Sequence, residues 1–337
     1  MSAGNARGRS ARFATPRRQR GVALIIALIL VALATILATK LTFDGFLERR
    51  RTMGVLAAEQ ALYFGMGAEA LAADVLSKES SAQQPTTLAS PWAQATQPLP
   101  ITPQDDPEGE PIGTLQGSLE DMQGRFNLNS LGHTITDAKT HASIQDPQPL
   151  QQFERLLALV QVEPKWAAIA RDWIDADDTP GSPDGAEDQI YTSQTPPYRT
   201  GNWPMMSPSE LMNLPGFGAD RYRKIAPYVT ALPTDVPFIN VCTASAPVLE
   251  SLADNLGEYT EESLAIGRKT GCFPDPKTLR TVLGPKVPVP NVMFDHSSYF
   301  RLSTRVTLGT TEFTLYSLLK REQSGKITPL LRSFGTP

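Results

Sequence analysis

Residues 22–39 are mostly apolar and carry no charge, and a spaced pattern of apolar positions follows them. At 1.5 Å per helical residue, this run approaches the roughly 30 Å of a bilayer hydrocarbon core, so it predicts a membrane-spanning helix. Beyond the run, apolar residues recur every three or four positions as far as Leu76, and no proline occurs between Pro16 and Pro85. The pattern therefore predicts one helix from about Val22 to Leu76, on the order of 80 Å long.

The remaining chain carries loop, strand and helix signals in turn. Residues 77–111 are rich in Ser, Gln, Thr and Pro and predict a loop or mobile connection. Residues 112–131 predict one or two strands broken by glycine, and residues 299–322 alternate clearly around a hairpin turn near Gly309. Helical spacing over residues 153–173 predicts helices whose tryptophans pack in a core. Strands at both ends with helices between them predict an α+β fold, a small antiparallel sheet interrupted by an inserted α-helical domain.

Charge divides the 337-residue chain into two unlike parts. The formal net charge is −4, but residues 1–21 contain six Arg and no acid, so the other 25 basic residues face 35 acidic ones. An acidic body disfavours binding to a polyanion such as nucleic acid. Cys242 and Cys272 are the two cysteines, which is too few for a disulfide scaffold. They could form a disulfide or remain two buried thiols, since sequence spacing does not give their distance in space.

The N-terminal basic leader raises the question of where the chain is cut. An ordinary secretory signal would end in small residues just after the apolar run, followed by a break in structure. Here Ala32 and Ala34 lie inside the run, and Lys40 continues the helical pattern. The apolar run is therefore predicted to stay attached to the body. The arginines favour a cytoplasmic N-terminus, although Lys40 and the arginines at 49–51 weaken the asymmetry.

A basic leader, Gly21 and an immediate apolar run resemble a type IV prepilin signal. The resemblance implies that a prepilin peptidase cuts between Gly21 and Val22 and methylates the new N-terminus. An uncut single-pass anchor is the alternative. Pilins of this superfamily usually carry Glu at the fifth mature position, where this chain has Ile26. Loss of that acid is typical of the K-type minor pseudopilin of type II secretion.

The resemblance to the K-type minor pseudopilins extends along nearly the whole chain. It is carried, in order, by AEQALYFGMGAEALA, LEDMQGRFNLNSL, ARDWIDADDTPGSPDGAEDQIY, LPTDVPFINVCTASAPVLESL and SSYFRLSTRVTLG. It implies a type IV pilin-like long N-terminal helix and small antiparallel sheet. The expected divisions are a prepilin leader at 1–21, a transmembrane half-helix at 22–41, a periplasmic helix and first strands at 42–130, the inserted helical domain at 131–292, and returning strands at 293–337.

The function implied by the resemblance is that of a non-enzymatic subunit at the tip of the type II secretion pseudopilus. Such a subunit waits in the inner membrane with its body in the periplasm and takes part in protein export across the outer membrane. The implied partners are the I- and J-type minor pseudopilins, the major pseudopilin, the prepilin peptidase and the inner-membrane secretion platform. Ile26 fits a tip position, because a subunit with nothing above it has no neighbouring amine to neutralise.

An acidic loop lies within the insertion. Seven carboxylates and no Lys or Arg occur between Asp172 and Asp188, which predicts mutual repulsion unless a cation offsets it. Hard oxygen ligands suit Ca²⁺, although Thr179 and Pro180 break the EF-hand spacing. The family resemblance also implies calcium here; the alternative is a solvated acidic loop. The predicted ligands are Asp175, Asp177, Asp184, Glu187 and Asp188, with Asp172 and Asp178 as further candidates.

Residues 207–229 offer a second functional hypothesis. SPSELMNLPGFGADRYRKIAPYV resembles a helix-hairpin-helix, with Arg221, Arg223 and Lys224 after the turn. This favours a membrane-tethered DNA-binding protein, such as a DNA-uptake pilin. The acidic body and the lack of a wider basic face argue against it, because phosphate neutralisation supplies most of such affinity. No H-E-x-x-H, G-x-S-x-G, Walker A or G-x-G-x-x-G motif occurs, so the sequence predicts no enzyme.

Overall fold

The computed structural model describes residues 20–79, 84–103, 105–106, 108–254, 256–257, 259–284 and 292–335. Residues 1–19, which make up most of the predicted leader, lie outside the described residues. The chain forms two compact units, residues 1–59 and residues 60–337. Because most of the leader lies outside the described residues, the cleavage predicted after Gly21 stays a prediction.

Helix α1 extends without interruption over Arg20–Lys78, which confirms the long N-terminal helix predicted from the absence of proline. Within the described residues, it is long and apolar enough to cross a membrane. Its apolar side chains between Val22 and Leu41 are exposed; Ile26, for example, is 52% exposed. Water would hydrate this surface at a large free-energy cost, whereas lipid would cover it, so the helix has the properties of a membrane anchor.

The elements that follow α1 are short. The later α-helices of the described residues are α2 (Pro147–Leu159), α3 (Trp166–Asp172), α4 (Asp188–Thr192), α5 (Gly218–Ile225), α6 (Ala246–Glu250), α7 (Glu261–Gly267) and α8 (Pro276–Leu283). The strands are β1 (Leu99–Ile101), β2 (Gly113–Asp121), β3 (Phe126–Asn127), β4 (Thr134–Thr136), β5 (Ser143–Gln145), β6 (Val229–Thr230), β7 (Ile239–Asn240), β8 (Met293–Phe294), β9 (Tyr299–Leu308), β10 (Thr311–Arg321) and β11 (Ile327–Phe334).

The principal sheet has five antiparallel strands in the order β1-β2-β9-β10-β11. The predicted hairpin connects β9 to β10 through Gly309, whose φ of +56° is a conformation that glycine adopts without penalty. The C-terminal part of α1 packs on the sheet through small residues that allow close approach. The core formed in this way contains Ala68, Ala72, Leu76, Trp92, Phe300, Leu302 and Leu319. The predicted α+β class with a pilin-like helix and sheet is confirmed.

The prediction of a loop over residues 77–111 is wrong in part. Within this segment, β1 forms an edge of the sheet, and Trp92 is buried against Phe300 with ring centroids 5.4 Å apart. Three-residue strands and single buried aromatics carry too little periodic signal to stand out from a segment rich in Pro and Ser. The structure also contains β11, which lies within the division of returning strands expected at 293–337 but beyond the hairpin that the alternation over residues 299–322 indicated.

The insertion leaves the sheet after β2 and returns to it at β9. Its core includes stacked Phe126 and Phe153, with centroids 5.0 Å apart, and both Trp166 and Trp173 are buried as predicted. Asp121, buried at the end of β2, joins sheet and insertion by accepting hydrogen bonds from three side chains at 2.6–2.8 Å. The donors are Asn240, Thr243 and Ser297. Burial raises the pKa of this carboxyl despite those bonds.

Cys242 and Cys272 form a disulfide, with their Cα atoms 4.5 Å apart. Of the two alternatives left open by the sequence, the structure therefore has the bonded one. Arg268 strengthens the same region, because its guanidinium donates to the carbonyl oxygens of Val241, Ala244 and Phe273 at 2.6–2.8 Å. Burial lowers the pKa of Arg268 to about 10.

Candidate metal centre

The acidic loop begins where α3 ends and finishes where α4 begins. Asp172, the last residue of α3, is buried, and its Oδ2 accepts hydrogen bonds from the amides of Gly181 at 2.9 Å and Ala186 at 2.8 Å. These two bonds fold the loop back over the helix end. A Cβ at Gly185 would overlap both Asp172 Oδ2 and the Gly181 backbone, so this close return requires glycine.

Folding the loop in this way brings three carboxylates together. Asp175, Asp177 and Glu187 each present an oxygen, and the three oxygens lie within 4.8 Å of one another. Two oxygens bound to one Ca²⁺ at about 2.3–2.6 Å can be separated by no more than about 5 Å. The spacing of this three-carboxylate group therefore fits a shared calcium ion.

The group also contains acceptors that the protein leaves unsatisfied. Asp175 Oδ1 and both Glu187 oxygens are buried without a hydrogen-bond partner. Burial, together with the neighbouring acids, raises the pKa of Asp175 to about 6 and that of Glu187 to about 7. Buried anions without partners are costly, and a divalent cation would remove that cost. The residues present therefore fit a metal ion.

The other predicted ligands lie around this group. Asp184 is exposed on the loop, whereas Asp188 Oδ1 accepts hydrogen bonds from Thr200 and its Oδ2 lies 3.2 Å from Arg199 Nη1. The three-carboxylate group does not include either aspartate. Asp172 shapes the loop backbone, and Asp178 accepts a hydrogen bond from Asn202. The ligand assignments at these four aspartates stay predictions.

Sequence analysis missed Asn202. Its amide oxygen is a buried acceptor without a partner, and its φ of +43° is uncommon for a residue other than glycine. Its side-chain nitrogen donates to Asp178 at 3.2 Å, which places the amide beside the acidic loop. Asn202 follows the acidic cluster by fourteen residues in the chain, so spacing within the cluster could not indicate it.

The basic residues after the helix-hairpin-helix-like turn are already engaged. Arg221 makes a two-pronged contact with Glu163 at 2.6 and 2.7 Å, and Lys224 donates to the carbonyl oxygen of Gln161 at 3.1 Å. Arg223 pairs with Asp220. The hydrogen bonds from Arg221 lower the pKa of Glu163 to about 2. Phosphate would have to displace these partners, which argues further against the DNA-binding alternative.

A long apolar N-terminal helix, a small antiparallel sheet and further helices between its strands define the class of pilin-like subunits with an apolar anchor helix. The family model for type II secretion system (T2SS), protein K, matches residues 124–234. Type II secretion system protein K of Aeromonas hydrophila is 32% identical over 95% of this chain and 98% of its own length. The protein of the same name from Pseudomonas aeruginosa PAO1 is 36% identical over 95% and 94%.

A solved structure shares the fold. It is a chain of the GspK-GspI-GspJ complex from the enterotoxigenic Escherichia coli type 2 secretion system, with a TM-score of 0.70 and 26% identity. The match covers 85% of this chain and all of that one. The chain therefore belongs to the type II secretion system protein K family, the K-type minor pseudopilins that its sequence resembles.

Proposed function

We propose that this chain is the tip subunit of a type II secretion pseudopilus and works there as a structural, non-catalytic part of protein export across the outer membrane. Similarity to protein K relatives over nearly the full length carries the proposal. The similar chain in the GspK-GspI-GspJ complex supports I- and J-type minor pseudopilins as neighbours. The major pseudopilin and the inner-membrane platform complete the proposed partners.

In this proposal, prepilin peptidase removes residues 1–21 and methylates Val22. The continuous apolar helix after Gly21 supports the retention of the anchor. Mass spectrometry of the protein from cells with the peptidase tests it, and we expect the N-terminal peptide to begin at methylated Val22. A chain that still begins at Met1, or one that begins beyond Lys40, would refute the processing step.

The body would lie in the periplasm. The disulfide between Cys242 and Cys272 supports this location, because disulfides persist in oxidising compartments such as the bacterial periplasm. Thiol labelling of intact cells tests it: the two cysteines should resist a maleimide until a reductant is added. Immediate labelling in membranes prepared without reductant would count against a periplasmic body.

The missing acid at Ile26 and the bulky insertion both support a tip position, where nothing stacks above the subunit. Ile26→Glu tests the first of these. At the tip, the added carboxylate would face no partner amine, and a buried unpaired charge in lipid is costly. We therefore expect reduced incorporation into complexes with the I- and J-type subunits. Unchanged incorporation would show that this position does not set the place of the subunit.

Calcium would have a structural role, held by Asp175, Asp177 and Glu187. A bound Ca²⁺ supplies positive charge that neutralises the loop and holds it folded over the end of α3. Binding to the folded state alone stabilises by about 2.7 kcal/mol at a ligand concentration one hundred times Kd. We therefore expect millimolar Ca²⁺ to raise the melting temperature of the detergent-solubilised chain by several degrees.

Two matched variants make this calcium test specific. Glu187→Gln removes one of the three grouped carboxylates and should abolish the rise in melting temperature. Glu262→Gln changes an exposed acid on α7, outside the acidic loop, and should leave the rise intact. If the unaltered chain shows no rise at millimolar Ca²⁺, the metal proposal fails. Equal responses from the two variants would refute the assignment of the group.

A further inference from the structure

A groove of about 880 Å³ lies between the outer strand of the sheet and the insertion. Leu318, Leu330 and Leu331 line the sheet side, and Trp203 and Met206 line the insertion side. The groove is within the size range of specific ligand pockets, and it is open to solvent. Two features of its walls indicate what it binds.

The first feature is an irregularity in β11. Leu318 pairs with Leu331 and Leu319 with Pro329, so Leu330 is an extra residue with no partner in β10. Successive side chains of a regular strand point to opposite faces, yet Leu330 and Leu331 both line the groove. A β-bulge of this kind redirects a side chain. Here it gives the groove two consecutive leucines, each 43% exposed.

The second feature is the combination of a large apolar wall with one sign of charge. Trp203 is 71% exposed and Met206 is 65% exposed, which is unusual for large apolar side chains that no neighbour covers. Among the described residues that line the groove, the charged ones are Asp175, Asp177 and Asp235, with no Lys or Arg. The proposed calcium ion would neutralise the first two. Asp235 then remains as an acidic group, 3.4 Å from His133 Nδ1.

The strand that forms the sheet side also has a free edge. In the described residues, β11 pairs with β10 alone, so it is the outer strand on this side of the sheet. Pro329 lacks an amide hydrogen, which limits the usable edge to the part beyond it. An extended guest segment can satisfy such an edge by adding as a further strand, while its side chains enter neighbouring pockets.

We propose that this groove docks an extended, apolar segment of a neighbouring pseudopilin subunit, which adds to β11 and places a lysine or arginine beside Asp235. The inference deepens the proposed assembly function and rests on it. Apolar contact with Leu330, Leu331 and Trp203 supplies affinity, and the opposite charge at Asp235 fixes the register of the segment. An acidic segment would be repelled by Asp235, and a helical segment could not add to β11 as a strand.

Photo-crosslinking in cells that also express the I- and J-type subunits tests the occupant. A photoreactive phenylalanine at Leu331 should form an adduct with a pseudopilin subunit. The same residue at Ile266, which is exposed on α7 outside the groove, is the matched control and should form none. Peptide mapping should place the adduct in an extended apolar segment that contains Lys or Arg. Asp235→Lys should reduce adduct yield about tenfold, which corresponds to 1.4 kcal/mol.

The outcomes separate this inference from the assembly proposal. Co-purification of the three subunits without an adduct at 331, or with an adduct in a helix, would overturn the groove proposal alone. Failure of the subunits to co-purify would count against the assembly function. The groove is then tested by fluorescence anisotropy with the solubilised full chain and a ten-residue peptide of alternating Val and Thr. A central Lys should give about tenfold tighter binding than a central Glu; equal or absent binding would overturn the proposal.

Discussion

The contact between the long helix and the last strand of the sheet gives the sharpest stability prediction. Glu69 on α1 is buried, and both of its carboxylate oxygens accept hydrogen bonds from Arg332 on β11, at 2.6 and 2.7 Å. Ser317 on β10 donates a third bond at 2.5 Å. One carboxylate therefore joins three elements of the pilin-like core, and Glu69→Ala should disconnect them together.

The magnitude follows from burial and charge. Removing one partner of a buried ion pair costs about 3–5 kcal/mol, but the side chain of Arg332 is 39% exposed and can be partly rehydrated. We therefore expect a loss of about 3 kcal/mol of unfolding free energy. Residues 60–337 form a large unit, for which each kcal/mol corresponds to roughly 2–4 °C. The melting temperature should fall by about 6–12 °C.

Intrinsic tryptophan fluorescence of the solubilised chain measures this, because all four tryptophans lie between residues 60 and 337. Glu59→Ala, which removes an exposed acid on the same helix, is the matched control and should melt like the unaltered chain. Combining Glu69→Ala with Arg332→Ala should cost less than the sum of the single changes. Strict additivity, or a fall of less than 2 °C for Glu69→Ala, would refute the reasoning.

The same pair predicts a pH dependence. Burial raises the pKa of Glu69, but the bonds from Arg332 and Ser317 outweigh burial and hold the pKa below its usual value of 4.5. A carboxyl with a lowered pKa in the folded state contributes stability that is present above 4.5 and lost as the pH falls through the folded-state value. The difference in melting temperature between the unaltered chain and Glu69→Ala should therefore shrink below pH 4.5. A difference that grows on acidification would contradict this sign.

Three further changes test the insertion. Replacing Cys242 and Cys272 together by Ala should cost about 3.5 kcal/mol, because the disulfide closes a loop with a sequence separation of 30. Denaturant unfolding measures this loss, and no loss would exclude a structural role for the disulfide. Arg268→Met should lower the free energy of unfolding by about 2–3 kcal/mol, because it leaves three carbonyl oxygens without their donor. Lys269→Met changes an exposed neighbour and should leave the unfolding free energy unchanged in the same assay. Gly185→Ala should abolish the calcium-dependent rise in melting temperature, and a normal rise would show that the loop tolerates the methyl group.

Elements with a strong local signal were predictable from the sequence. The unbroken helix follows from an apolar run without proline, and the β9–β10 hairpin follows from alternation around Gly309. By contrast, β11 contains Pro329 and two adjacent leucines, which break the alternation by which a strand is recognised. The same bulge that redirects Leu330 therefore also makes the strand hard to predict from the sequence.

The candidate metal centre shows the same limit at the level of single side chains. Composition identified the acidic loop, because seven like charges in a short segment require a cation or solvent whatever the fold. Composition could not show which of the seven acidic residues are ligands. That depends on which of their oxygens the fold brings together and leaves buried without a hydrogen-bond donor. Asp172 has one oxygen, Oδ2, bonded to the loop amides and the other buried without a partner, whereas Glu187 keeps both oxygens unpaired. Asn202 carries no charge, yet its buried oxygen has the same need for a partner. Carboxylate oxygens that the fold brings within reach of one ion, together with buried acceptors left unsatisfied, are therefore a better criterion for a ligand here than acidic composition alone.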